Sequence, residues 1–179
     1  MLPIVKIGDA ALRKVSKPLA EADLSSASTK KLLKDLSLSL SSRDDGIGLS
    51  APQLGVNKRV FVVAGRAFDK DWLAGKAKPE GKVYEDEYFI NPIVIKKSKK
   101  LSTAEEGCLS IPGVYGLVKR PANVTIEYRD KSGERKTKGA SGLVARIFQH
   151  EIDHLDGILF IDKATHIKEA KNTDENSEL

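Results

Sequence analysis

The chain has 179 residues, 40% of them hydrophobic, and carries 30 Lys and Arg against 25 Asp and Glu, for a formal net charge of +5. That length supports one domain with a single sizeable core, and no apolar run is long enough to span a bilayer, which excludes a helical membrane protein. The charge is a mild bias that a solvated surface explains. The sole cysteine, Cys108, excludes an intramolecular disulfide and, with no secretory signal in view, fits the cytoplasm.

In chain order, Thr29 to Ser42 predicts an amphipathic helix with Leu32, Leu33, Leu36 and Leu40 inward, although the alternation from Leu36 to Leu40 also permits a strand. The stretch Gly46-Ile47-Gly48-Leu49-Ser50-Ala51-Pro52-Gln53-Leu54-Gly55 follows. Its glycines match neither the Walker pattern nor the dinucleotide fingerprint, which argues against a nucleotide site. It reads either as a tight turn into a buried segment or as a carrier for Gln53, whose amide can donate to a developing oxyanion. Arg59–Ala64, Tyr88–Ile95 and Val124–Arg129 read as strands, and Asp130 to Gly133 as a hairpin turn into Glu134–Lys138. The polar insert between Gly65 and Glu87 reads as a surface loop that Phe68 and Trp72 pin to the body. Lys96-Lys97-Ser98-Lys99-Lys100 lacks interleaved aromatics and reads as a turn rather than an RNA site. Strands in the middle with one buried helix near the end give an α+β class, antiparallel sheets packed around a central helix. Residues 1–164 are expected to form one catalytic domain, and 165–179 a frayed polar tail.

That last helix carries Gln149-His150-Glu151-Ile152-Asp153-His154. Residues four apart share a helix face, so His150 and His154 can close on one metal ion with Glu151 beside it to handle a proton. Leu143 to Gln149 contain no helix breaker, and Gly157 supplies a stop. Leu143, Ile147, His150 and His154 fall on one stripe, so Leu143 and Ile147, with Ile47 and Gly48 approaching from the Gly-rich segment, are expected to line an apolar pocket beside the metal. A third ligand is less direct. Phe160 stands where a longer zincin motif would have a histidine. Glu169, Glu175 and Glu178 lie in the polar tail, and His166 follows soon after the helix. Cys108, set in Glu105-Glu106-Gly107-Cys108-Leu109-Ser110-Ile111-Pro112-Gly113, is the better candidate, because a thiolate and two imidazoles leave a fourth position open, as in catalytic sites.

Gly-Ile-Gly-Leu-Ser-Ala-Pro-Gln, Glu-Gly-Cys-Leu-Ser and Gln-His-Glu-Ile-Asp-His-Leu, in that order, resemble the three signature motifs of peptide deformylases, which remove the formyl group from the N-terminal methionine of new proteins. Ile4 to Val15 and Ile90-Asn91-Pro92 are also similar, so the likeness covers most of residues 3 to 162. Ser50 stands where alanine is usual, a change expected to matter little. The resemblance implies Cys108, His150 and His154 as metal ligands and Glu151 as general acid and base. It implies the Gln53 side chain and the Leu109 backbone N–H as oxyanion donors, with Glu106, paired with Arg120, supporting the ligands. It implies one divalent ion, ferrous iron in the cell, with nickel, cobalt or zinc also working; the ligand set alone points to zinc. The implied partners are formyl-methionyl nascent polypeptides, with transient ribosome contact and neither a membrane nor a direct nucleic-acid role. Residence in a bacterial-type cytoplasm follows, and an organellar, processed form stays open. On the residues alone, a zincin-type metallopeptidase and a non-catalytic, basic, ribosome-associated protein also remain as readings.

Overall fold

The computed structural model describes residues 1–170. Helix α1 (Ala27–Ser41) is followed by the short strand β1 (Gly48–Ser50), then β2 (Val60–Val63), the one-turn helix α2 (Lys70–Leu73) and β3 (Glu87–Lys97). The chain continues through β4 (Leu101–Cys108), β5 (Ile111–Pro121), β6 (Asn123–Arg129), β7 (Arg135–Ser141), helix α3 (Gly142–Leu155) and β8 (Thr165–Glu169). Two antiparallel sheets result, one of five strands in the order β1-β2-β3-β6-β7 and one of three in the order β4-β5-β8.

Strand β2 explains how the layers form. All four of its residues are buried, and successive side chains of a strand face opposite ways. Val60 and Val62 join Leu32, Leu33, Leu36 and Leu40 of α1 on one face. Phe61 and Val63 join Phe89, Ile126, Ile147, Phe148 and Ile152 on the other, where Phe61 stacks on Phe89 at 4.7 Å. The five-stranded sheet is therefore a wall with α1 behind it and α3 in front. A third cluster, Leu12, Ile111, Val118, Leu159 and Phe160, joins α3's C-terminal side to the smaller sheet.

Helix α1 settles the Leu36–Leu40 ambiguity: Ser26 caps it by accepting from the Thr29 N–H at 3.1 Å, and Leu36 and Leu40 are buried while Leu38 is exposed. The Ile90-Asn91-Pro92 stretch is a bulge in β3, where proline's missing donor is tolerated. Asn91 has φ 50° there and clasps Leu19, accepting from its N–H and donating to its C=O, both at 2.8 Å.

Three expectations change. Strand β3 runs on to Lys97, so the lysine cluster is half strand and half turn. The hairpin β4–β5 is new, since its strands mix exposed, half-buried and buried side chains without a clean apolar alternation. The supposed frayed tail begins as β8, pairing with β5 through Thr165↔Leu117 and Val114↔Glu169; its later residues lie outside those described. The insert is held largely as expected: Phe68 packs on Phe148 at 6.4 Å, whereas Trp72 stacks under Arg66 of the insert itself. Its two ends touch. Gly65 donates to Asp86 Oδ1 at 3.3 Å, and a Cβ on Gly65 would sit 2.2 Å from the Glu85 carbonyl oxygen.

Candidate active site

Helix α3 is one side of the site. Its end follows the glycine signal: Gly157 takes φ 73°, donates to the His154 carbonyl at 3.1 Å, and the Ile158 N–H reaches the Asp153 carbonyl at 2.8 Å. The His150 and His154 rings lie 4.9 Å apart. Phe160, in the place of a third histidine, stacks on the His150 ring at 6.3 Å and so supports it through packing.

Strand β4 supplies the other side. The pairing slips between Gly107 and Cys108, and this bulge at the strand's end turns Cys108 toward α3. Cys108 Sγ comes within 3.2 Å of His154 Nε2, and one donor atom from each of Cys108, His150 and His154 fits inside 4.8 Å. His166 and Glu169 stand instead on the exposed strand β8. Because His150 Nδ1 faces Glu106 at 3.0 Å, its Nε2 is the nitrogen left for the cluster. Glu106 is itself clamped by Arg120 through two bonds of 2.6 and 2.8 Å, and by Arg146 at 2.6 Å. Arg120 reaches on to Asp153 at 2.7 Å, and Asp153 to Lys163 at 2.6 Å. Burial alone would raise the Glu106 carboxyl, but Arg120 and His150 hold it far below the usual carboxylate range.

Beneath the cluster, Gln53 sits in a buried 3-10 turn after β1 and points Nε2 at Cys108 Sγ, 3.5 Å away, and at Ser110 Oγ, 3.3 Å away. Glu151 is 3% exposed; burial pushes its carboxyl up to about 7, and its Oε2 has no hydrogen-bond partner. A Cβ on Gly48 would lie 2.6 Å from Glu151 Oε1, so only glycine lets β1 pass so near. A cavity of about 370 Å³ opens onto these groups. Ile47, Gly48, Leu143 and Ile147 all line it, as does Leu109 at the β4–β5 turn.

The donors suit a divalent cation. They combine one sulfur and two imidazole nitrogens, with space left toward the cavity. Burial drives His154 well below its ordinary value, keeping it neutral as a ligand must be. Burial would lower His150 too, yet Cys108 and Glu106 together hold it up to about 10, so the cluster attracts positive charge. The partnerless Glu151 Oε2 lies next to this point and is available to a water.

Sequence profiles of known families add a decisive comparison: the profile described as Polypeptide deformylase matches residues 1–170. The chain belongs to the polypeptide deformylase family. Among curated relatives, the peptide deformylase of Prochlorococcus marinus (strain NATL2A) is 42% identical over 95% of this chain and 76% of its own length. That of Rhizobium meliloti is 40% identical over 93% and 86%. Among solved structures, a class I type b peptide deformylase from Acinetobacter baumannii bound to Met-Ala-Ser superposes with TM-score 0.78 at 32% identity, covering 90% of this chain and 97% of that one. An actinonin complex of the Synechococcus elongatus enzyme gives 0.75 at 34%, over 92% and 79%. As a deformylase the chain is a hydrolase of a metal-dependent family, and its Cys/His cluster is the possible metal site. No helix among the described residues is long and apolar enough to cross a membrane.

Arg146 escaped the sequence reading. It passes for a surface residue of α3, yet its guanidinium donates to Glu106, to the Val118 carbonyl at 3.0 Å and to the Ser102 carbonyl at 3.0 Å. Its position four residues before His150, on the same face of an otherwise apolar stripe, was the available signal.

Proposed function

We propose that this chain removes the formyl group from the N-terminal formyl-methionine of nascent polypeptides, with Cys108, His150 and His154 holding one ferrous ion. The observation that carries the reading is the convergence of those three donors, the Gln53 amide and the buried Glu151 at one end of an apolar cavity. Nickel, cobalt and zinc fit the same donors. A bound ion supplies Lewis acidity to the formyl oxygen and to the attacking water.

The remaining chemistry belongs to the side chains. Glu151 takes a proton as water adds to the formyl carbon, and a carboxyl titrating near 7 is matched to that task. Negative charge then gathers on the formyl oxygen, where the Gln53 N–H and the Leu109 backbone N–H donate, each such bond being worth about 3 kcal/mol. Glu151 returns the proton to the departing nitrogen, the C–N bond breaks, and formate and a free amine leave. Ile47, Gly48, Leu143 and Ile147 receive the methionine side chain, and Glu106 with Arg120 fixes the His150 ring. Residues 1–164, with β8 completing the smaller sheet, act as one catalytic domain in a bacterial-type cytoplasm, meeting substrate in passing at the ribosome.

The test is formate release from formyl-Met-Ala-Ser by freshly purified protein of measured metal content. The expected result is turnover that a chelator abolishes and metal restores. Cleavage of internal peptide bonds in unformylated peptides, with no formate released, would replace this reading with a general metallopeptidase.

A further inference from the structure

One buried hydroxyl stands between two groups of the site: it bonds Gln53 and lies close enough to Glu151 to offset part of the upward push of burial on that carboxyl. Ser50 ends β1 and is fully buried. Its Oγ donates to Gln53 Oε1 at 2.9 Å, and its backbone N–H donates to the same oxygen at 2.9 Å. A primary amide has two similar ends, and only its partners decide which end faces where. In the reverse orientation the NH₂ group would meet the Ser50 backbone N–H, donor against donor, and the carbonyl oxygen would meet the Cys108 sulfur, acceptor against acceptor. With two donors on Oε1, Nε2 is committed to the side of Cys108 and Ser110.

We infer that Ser50 is a positioning residue whose hydroxyl locks the Gln53 amide with its N–H end toward the reacting carbonyl. The inference rests on the proposed role of Gln53 as oxyanion donor. Alanine at this position would keep the backbone donor alone, so the hydroxyl is a second lock and its removal has a bounded effect. A serine at this position therefore carries a function that its similarity in size to alanine conceals.

Ser50→Ala tests it, assayed as formate release from formyl-Met-Ala-Ser at equal metal content and with melting recorded. One neutral hydrogen bond predicts kcat lower by about three- to tenfold with KM unchanged. Ser50→Cys, near-isosteric with a weaker donor, falls between the two. The deciding measurement is the same change in a Gln53→Ala background, where a residue acting through Gln53 has nothing left to orient and kcat stays the same. Equal losses in both backgrounds, a loss confined to KM, or Ser50→Ala matching wild type would each overturn the inference while leaving the deformylase reading intact. A metal-loaded wild type that releases no formate would overturn both.

Discussion

The two halves of the Cys/His cluster are built by opposite means. His150, Glu151 and His154 stand on one helix, and their spacing follows from 3.6 residues per turn. Cys108 stands 46 positions before His154, at the end of a strand of the smaller sheet, and its place depends on a bulge, on the β4–β5 pairing and on the charge chain from Lys163 through Asp153 and Arg120 to Glu106. The helical half is specified locally. The cysteine half exists only when the whole fold does, and the proteins' buried charges are concentrated where the two halves meet.

The largest expected effect lies in the helical half. Glu151→Gln keeps the shape of the side chain and the three donors but cannot take a proton, so kcat falls by about 10²–10⁴-fold with metal content unchanged. Turnover within about tenfold of wild type at equal metal would remove Glu151 from the mechanism.

The joint between the halves is addressed by Arg120→Met. It leaves Glu106 and Asp153 short of their shared buried cation, and breaking such a pair lowers stability by about 3–5 kcal/mol, measurable by urea unfolding. Acid sharpens the point. The folded Glu106 carboxyl is depressed, so its stabilisation is complete above its unfolded value of 4.5 and is lost as pH falls below it. Wild type should therefore lose stability on acidification below that value, and Arg120→Met, starting lower, should lose less. Parallel curves for the two proteins would show that this pair carries no such linkage.

The smallest effect of these three comes from the sheet side. Gly48→Ala puts a methyl group against Glu151 Oε1, the movable end of a side chain, so the protein folds while the carboxylate shifts. A displacement of that kind lowers kcat by about ten- to a hundredfold. Unchanged kcat in a well-folded variant would mean that β1 does not set the position of Glu151.

The same contrast governs what the sequence made legible. Helix α3, its glycine stop and its apolar stripe could be read because each is a local pattern. Cys108 was reached by weighing it against His166 and three glutamates, since nothing in residues 105–113 encodes where α3 will lie. Strands β4 and β5 were missed because Ser102, Thr103, Glu105 and Lys119 point outward and hide the strand period. The family resemblance supplied Glu106 and Arg120 as partners; Arg146 left only its spacing from His150 as a signal, and the hydroxyls of Ser50 and Ser110 emerge only once the Gln53 amide is packed against them.

The touching ends of the insert have a practical meaning. A segment whose two ends are clasped at Gly65, Glu85 and Asp86 is a side branch, tied to the body at its root through Arg66, Ala67 and Phe68. Lengthening such a branch adds little closure entropy, since that grows only with the logarithm of loop length. No residue of this segment lines the cavity, and Gly75 and Gly81 lie exposed near its far end. For a protein engineer the branch is a ready socket: a reporter peptide or an affinity handle grafted between those two glycines would be carried on the outside, with its root, the sheet and the catalytic helix left as they are.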